Sequence, residues 1–215
     1  MKKGFSGALF FLILISFTFI ILSAGELTYV INSPVIKFGV SNNYTTLSAD
    51  NFKNLTIPGN PSVLYKPICF LLPPTAVVDR IWIDNVKTTE SAIYGKIYPA
   101  QKPIPLMQKT PIKFTEPVKS IYESDKEFPG YLIKKIGLSH LGSFKILQVN
   151  VYPVQYIPSE NRIMNNSFIL HISYSEGKSA IKPISALQFE NTKKIANSLV
   201  VNPEMISRYE TTVRR

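Results

Sequence analysis

The sequence predicts an all-β protein, an antiparallel β-sandwich followed by a short helical C-terminal tail. Apolar and polar residues alternate in several short segments, which is typical of half-buried strands. These segments recur about every 8–12 residues, as expected for a sandwich. Prolines and other turn residues separate them.

The clearest alternation lies at residues 144–152 and 168–174. In the first segment Leu147, Val149 and Val151 share one face, and Ile146 falls on the other. Pro153 and Pro158 follow, and neither has an N–H group to donate to a ladder. We therefore expect the chain between the two segments to leave its sheet or to run at an edge.

Weaker signals predict the other elements. Residues 99–129 contain many prolines and few glycines, which predicts a long extended connection. A weak helical stripe at 185–200 predicts a helix, and Asn202-Pro203-Glu204 predicts the start of another. The remaining predicted strands are 29–31, 35–38, 63–72, 77–86 and 93–98.

The first 25 residues have the pattern of a secretory signal peptide. Lys2 and Lys3 precede an apolar run from Ala8 to Leu22, and small residues follow. We expect cleavage after Ala24 or Gly25, and a secreted or cell-surface protein. An uncleaved membrane anchor is the alternative, but the run of about 15 residues is shorter than the roughly 20 that span a bilayer. Membrane contact is thus expected only through this segment before cleavage.

The net charge is +10, and Lys2 and Lys3 contribute two of those charges. The basic residues are mostly scattered lysines rather than clustered arginines, so we expect no nucleic-acid partner. A solvated basic surface and an acidic protein partner both remain open. Cys69 is the only cysteine, which excludes an internal disulfide framework.

Catalytic chemistry is not evident. Cys69 sits in an apolar strand that disfavours a thiolate, and the two histidines, His140 and His171, are predicted in a turn and in a strand. The acids Glu123, Asp125 and Glu127 fit a solvated turn. We find no zinc-ligand spacing, phosphate loop or nucleophile elbow. We therefore expect no catalytic residues, no metal, no cofactor and no enzymatic activity from this chain itself.

The sequence contains an ordered set of short motifs: Pro58-Gly59-Asn60-Pro61, Leu72-Pro73, Tyr98-Pro99, Val149 to Pro158 and Phe168 to Tyr174. Together they resemble the N-terminal propeptide of gingipain-type cysteine peptidases. The resemblance covers about residues 28–175. It implies a β-sandwich prodomain at 26–178 that assists folding of the peptidase and keeps it latent. Residues 179–215 would then be a linker or helical tail toward a downstream catalytic domain.

The resemblance also implies roles for basic residues, with a cysteine peptidase catalytic domain as partner. A lysine on the extended connection, which carries Lys109, Lys113, Lys119 and Lys126, would occupy an acidic specificity pocket without being cut. We single out Lys119 and Lys126. Processing would occur at Arg208, Arg214 or Arg215. The alternative function is a stand-alone secreted β-sandwich that binds a protein, a glycan or a surface.

Overall fold

The computed structural model describes residues 24–104, 113–177 and 184–214, and confirms the predicted antiparallel β-sandwich with a helical C-terminal tail. The described residues include two helices, Lys119–Tyr122 (α1) and Ala186–Leu199 (α2), and two 3-10 turns, at Pro158–Glu160 and Pro203–Thr212. The strands are Ala24–Ile31 (β1), Lys37–Ser41 (β2), Tyr44–Ser48 (β3), Lys53–Asn54 (β4), Leu64–Leu72 (β5), Ala76–Ala92 (β6), Ile133–Leu141 (β7), Phe144–Val151 (β8), Val154–Ile157 (β9), Arg162–Glu176 (β10), Ile184–Ser185 (β11) and Val213–Arg214 (β12).

The two main sheets have four strands each. In the first sheet β10 is central: it pairs with β6 along one edge and with β1 and β9 along the other. The second sheet has the order β4-β5-β8-β7. The hairpin β2–β3 stands apart, and β11 and β12 form a short parallel ladder. Every pairing in the two main sheets is antiparallel.

The chain changes sheets at Pro153. β8 belongs to the second sheet, whereas β9, between Pro153 and Pro158, pairs with β10 of the first. Asn166 on β10 is 1% exposed, and its amide donates to the carbonyl oxygens of Pro153 and of the Gln155 side chain. The chain thus leaves the second sheet at Pro153, in the segment where the sequence predicted that it would leave its sheet.

Alternating side chains of both sheets form the main core. β5 contributes Ile68, Phe70 and Leu72, β8 contributes Leu147, Val149 and Val151, and β10 contributes Phe168, Leu170, Ile172 and Tyr174. A second cluster lies beneath the β2–β3 hairpin and α1 and includes Leu47, Ile97, Tyr122 and Tyr156. Burial of such side chains stabilises the fold by about 1.5–3 kcal/mol each.

The C-terminal tail covers the outer face of the second sheet. α2 begins with a capping box between Ser185 and Gln188. Phe189, Ala196 and Tyr209 pack with Phe144 and Ile146 in a third cluster. Ile146 is therefore 3% exposed, and β8 is buried on both faces at Ile146 and Leu147 rather than half-buried as its alternation predicted.

Residues Val201 and Asn202 close the open edge of β5. The backbone N–H of Val201 donates to the carbonyl of Cys69. The Asn202 side chain accepts from the N–H of Leu71 at 2.8 Å and donates to the Leu71 carbonyl at 2.9 Å. A side-chain amide here replaces a neighbouring strand, which removes an edge that could pair with another chain.

Two predicted elements were wrong. Residues 93–98 do not form a strand, because Gly95 turns the backbone with φ of +69°. Ile97 makes only an isolated bridge to Thr45, and the nearby Pro99 makes one to Pro61. The predicted extended connection contains the helix α1, which begins at Lys119, two residues after Pro117. Across the described residues, no helix is long and apolar enough to cross a membrane.

Candidate functional site

The predicted extended connection is fastened to the body at both ends. Near its start, the Gln101 amide donates to the carbonyls of Pro99 and Thr115 and accepts from the Thr115 N–H at 2.8 Å. Phe114 stacks on Tyr44 of the hairpin, with ring centroids 6.0 Å apart. Residues 105–112, which include Lys109, lie outside the described residues. These contacts hold residues 101 and 115 side by side.

Gly59 is the point where three backbone segments meet. Its N–H donates to the Ala100 carbonyl at 2.8 Å, and its carbonyl accepts from the Val118 N–H at 2.9 Å. Its φ is +80°, and a Cβ atom there would lie 3.0 Å from the Glu116 carbonyl oxygen. A glycine is required because the conformation is left-handed and the neighbouring backbone is close.

Gly59→Ala is expected to lower the free energy of unfolding by about 1–3 kcal/mol, because it adds both strain and a close contact. Urea denaturation measures the change. Gly137→Ala is the matched control, since no atom lies within 4 Å of its Cβ position. Equal stabilities of the two variants would contradict the role given to Gly59.

Tyr122 anchors α1. The side chain is 2% exposed, and its hydroxyl donates to the Ile97 carbonyl at 2.7 Å. It also makes an edge contact with Tyr156. Burial raises the pKa of the Tyr122 hydroxyl, and burial likewise raises the pKa of Tyr156 to about 12. Both phenols therefore stay protonated at neutral pH and keep donating.

A tight turn follows α1 and carries Lys126. The Lys126 N–H donates to the Ser124 hydroxyl oxygen at 3.0 Å. Beyond the turn, Phe128 and Tyr156 exchange both backbone hydrogen bonds. The turn is thus held between the Tyr122 anchor and this bridge, while its charged side chains remain exposed: Glu123, Asp125, Lys126 and Glu127.

The structure places Lys119 and Lys126 on one anchored stretch of surface, residues 118–128. Lys119 is exposed at the first residue of α1, rather than on an extended loop as predicted. Lys126 has acidic neighbours on both sides along the chain, whereas Lys119 is followed by Ser120 and Ile121. An acidic pocket would repel the surroundings of Lys126 more strongly.

Comparison with solved structures identifies this architecture. A chain of the complex of the pro- and mature domains of Porphyromonas gingivalis RgpB superposes with a TM-score of 0.62 at 18% identity, covering 85% of this chain and 92% of that one. The chain has the fold of a gingipain prodomain. A structure addressing the zymogenic latency of gingipain K from Porphyromonas gingivalis matches with a TM-score of 0.57 at 14% identity, covering 72% of this chain and 100% of that one.

The predicted resemblance to gingipain propeptides is thus confirmed at the level of fold. At the level of sequence, no family profile and no curated protein matches the chain. Within the described residues, no group of three or more histidine, cysteine or acidic side chains could hold a metal ion. Cys69 is partly buried, and burial raises the pKa of its thiol, which disfavours a reactive thiolate.

His171 of this prodomain fold lies in a charged cluster that the sequence did not predict. Its Nδ1 lies 2.6 Å from a Glu26 carboxylate oxygen on β1, and its Nε2 lies 3.2 Å from an Asp84 oxygen on β6. The His171 ring stacks on the Trp82 ring, with centroids 5.0 Å apart. The Arg80 guanidinium also lies over the Trp82 ring. The alternation put His171 on a strand face, but only the register could bring Glu26 and Asp84 beside it.

The hydrogen bond with Glu26 raises the pKa of His171; burial opposes this, and the nearby Asp84 carboxylate adds to the increase. A raised pKa means that the folded state binds the proton more tightly, so this stabilisation is complete below the unfolded pKa of about 6.5. It is lost as the pH rises through the higher folded pKa. In mildly acidic solution, protonated His171 on β10 therefore attracts the carboxylates of Glu26 on β1 and Asp84 on β6, which stabilises the pairing of the three strands.

His171→Gln is expected to remove this part of the pH dependence. Urea denaturation at pH 5.5 should show a larger loss of stability for the variant, relative to the wild type, than at pH 8.5. Fluorescence of Trp82, the only tryptophan, follows the titration in the folded state. His140→Gln, at an exposed position of β7, is the control. A difference between wild type and His171→Gln that does not vary with pH would contradict the expectation.

The predicted processing residues lie in ordered surroundings or outside the described range. Arg208 is in the 3-10 turn Pro203–Thr212 and pairs with Glu176 of β10. Arg214 is in β12, beside Ser185, and Arg215 lies outside the described residues. Ala24 and Gly25, the predicted signal-cleavage residues, form the first pairs of β1 with β10. Cleavage at any of these positions stays a prediction, as does the domain boundary at residue 178, which lies outside the described residues.

Proposed function

We propose that this chain is the pro-region of a gingipain-type cysteine peptidase: it assists folding of the catalytic domain and holds it latent. The observation that supports this most is the prodomain fold, which extends over 85% of the chain and 92% of its RgpB counterpart. That counterpart comes from a complex of pro- and mature domains, which favours a cysteine peptidase catalytic domain as the partner.

The anchored stretch 118–128 is suited to inhibition. A basic side chain that enters an acidic specificity pocket binds most tightly when its backbone is already ordered, because less entropy is lost. The Tyr122 hydroxyl bond and the Phe128–Tyr156 bridge provide that order. We assign the pocket-filling role to Lys119 or Lys126, and favour Lys119 because fewer acids lie beside it in the chain.

The test is inhibition of a lysine-specific gingipain-type peptidase by the purified chain. Lys119→Ala is expected to weaken inhibition by at least about tenfold, and Lys126→Ala by less, since a lost ion pair in a pocket is worth 1.4 kcal/mol or more. Lys87→Ala, an exposed lysine on β6, is the matched control. Unchanged inhibition by the double variant Lys119→Ala, Lys126→Ala would reject the assignment. Failure of the wild type to bind or inhibit would favour the stand-alone binding module.

Export is part of the same proposal. Residues 1–25 act as a signal peptide, and the mature chain reaches the cell exterior. N-terminal sequencing of the protein recovered outside the cell should begin at Gly25 or Glu26. Recovery of a chain that retains Met1 in the membrane fraction would support the uncleaved anchor.

A further inference from the structure

Among the described residues β2 pairs only with β3, so its other backbone edge is open there. A two-residue turn at Asn42 and Asn43, both with positive φ, joins β2 to β3. In such a hairpin Ser41 and Tyr44 exchange hydrogen bonds, and so do Gly39 and Thr46. The N–H and C=O groups of Phe38 and Val40 therefore point away from β3. Thr45 on β3, opposite Val40, likewise has its backbone groups pointing away from the hairpin partner. Its N–H donates to the Lys96 carbonyl, and its carbonyl accepts from the Tyr98 N–H.

The side chains beside this edge are apolar and exposed. Phe38 is 55% exposed and Val40 is 73% exposed. They border a groove of about 290 Å³ whose opposite wall is formed by Ala92, Ile93 and Tyr94. Exposed apolar groups next to unpaired backbone groups are the two features by which a strand recruits another strand.

Two other strand edges among the described residues are protected in ways that the β2 edge is not. The β5 edge is covered by Val201 and Asn202, and the β6 edge carries the charges of Asp84, Lys87 and Glu90. β2 carries one charge, on Lys37, whose ammonium pairs with Asp50 at 2.9 Å. Natural sheets tend to keep apolar edges covered or charged, so the exposed apolar edge of β2 favours a partner there.

We propose that the β2 edge pairs with the same edge of a second copy of this chain. An antiparallel arrangement centred on Gly39 places Phe38 of each copy opposite Val40 of the other. These are the residues with outward N–H and C=O groups, so each pair exchanges both hydrogen bonds. The apolar side chains of both copies then form one continuous surface on the face that borders the grooves.

The composition of the edge favours a second copy over another occupant. The five residues Lys37–Ser41 are self-complementary about Gly39, where the absence of side chains allows close approach of the two backbones. Lys37 falls opposite Ser41, so no like charges meet within the edge. The contact is small, and the dimer is therefore a reversible one that forms as concentration rises.

Sedimentation velocity of the purified chain over a concentration series tests the proposal. Val40→Lys introduces a charge at the edge and is expected to raise the dimer dissociation constant by at least about tenfold. Val40→Pro removes the outward N–H but none of the donors to β3, and should have the same effect. Val77→Lys, an exposed valine on β6, is the matched control and should dimerise as the wild type does.

Circular dichroism shows whether each variant remains folded. A wild type that stays monomeric at every concentration, or dimers that persist equally in Val40→Lys, would overturn the proposal. A monomeric wild type whose binding to a gingipain-type peptidase is weakened by Val40→Lys would also overturn it, and would assign the edge to the peptidase.

Discussion

Asn202→Leu is expected to lower the free energy of unfolding by about 2–5 kcal/mol. The substitution keeps the side-chain volume but leaves the N–H and C=O of Leu71 without their amide partner. Leu71 is fully buried, and each unsatisfied buried group costs about 1–3 kcal/mol. Urea denaturation, with tryptophan fluorescence and circular dichroism as signals, measures the loss.

Asn197→Leu is the matched control for this variant. It changes the same residue type in the same tail, but at an exposed position of α2, so its effect should stay within about 0.5 kcal/mol. If Asn202→Leu were as stable as Asn197→Leu, the tail would not depend on the amide bridge to β5.

Tyr209→Ala is expected to accelerate proteolytic cleavage after Arg208 by at least about tenfold. Tyr209 is fully buried, its hydroxyl donates to the Leu72 carbonyl at 2.5 Å, and it accepts from the Lys145 N–H at 2.9 Å. Truncating a buried aromatic residue costs about 3–5 kcal/mol. Since a protease needs an extended segment, cleavage follows the population in which the Pro203–Thr212 turn has opened.

A time course with trypsin, in which mass spectrometry identifies the fragment ending at Arg208, provides the measurement. Tyr94→Ala is the control, because Tyr94 is 89% exposed and its loss should not change the rate at Arg208. Equal rates for wild type and Tyr209→Ala would mean that Arg208 is accessible in the folded protein. Processing there would then need no opening of the tail.

The alternation of side chains predicted the two central strands and the core between the sheets. It could not reveal that Ile146 also lies in a core, because a period of two shows that two faces differ but not what covers each of them. The cover is the tail, whose contacts with β8 are remote in sequence. Likewise, the stripe at 185–200 predicted a helix but not the surface on which it packs.

The polar features were harder to predict than the strands. Asn202 fitted a helix cap, and the 3-10 turn does begin at Pro203, but its side chain bonds to Leu71 instead. His171 was predicted to be an ordinary strand residue because cross-strand neighbours depend on register. At the candidate site, proline content indicated an extended segment, while the short helix around Lys119 depends on the burial of Tyr122, a tertiary contact.

The central position of β10 has a consequence for biosynthesis. β1 pairs with β10 and with no other strand among the described residues, and the partners of Ala24 and Ile31 are Ser175 and Phe168. β1, the first of the described strands, therefore stays unpaired and partly apolar until nearly the whole sandwich has been synthesised. Contacts between such distant residues slow folding, and a waiting strand edge is prone to aggregation. Until β10 has been made, the growing chain therefore exposes both the apolar side chains and the backbone edge of β1.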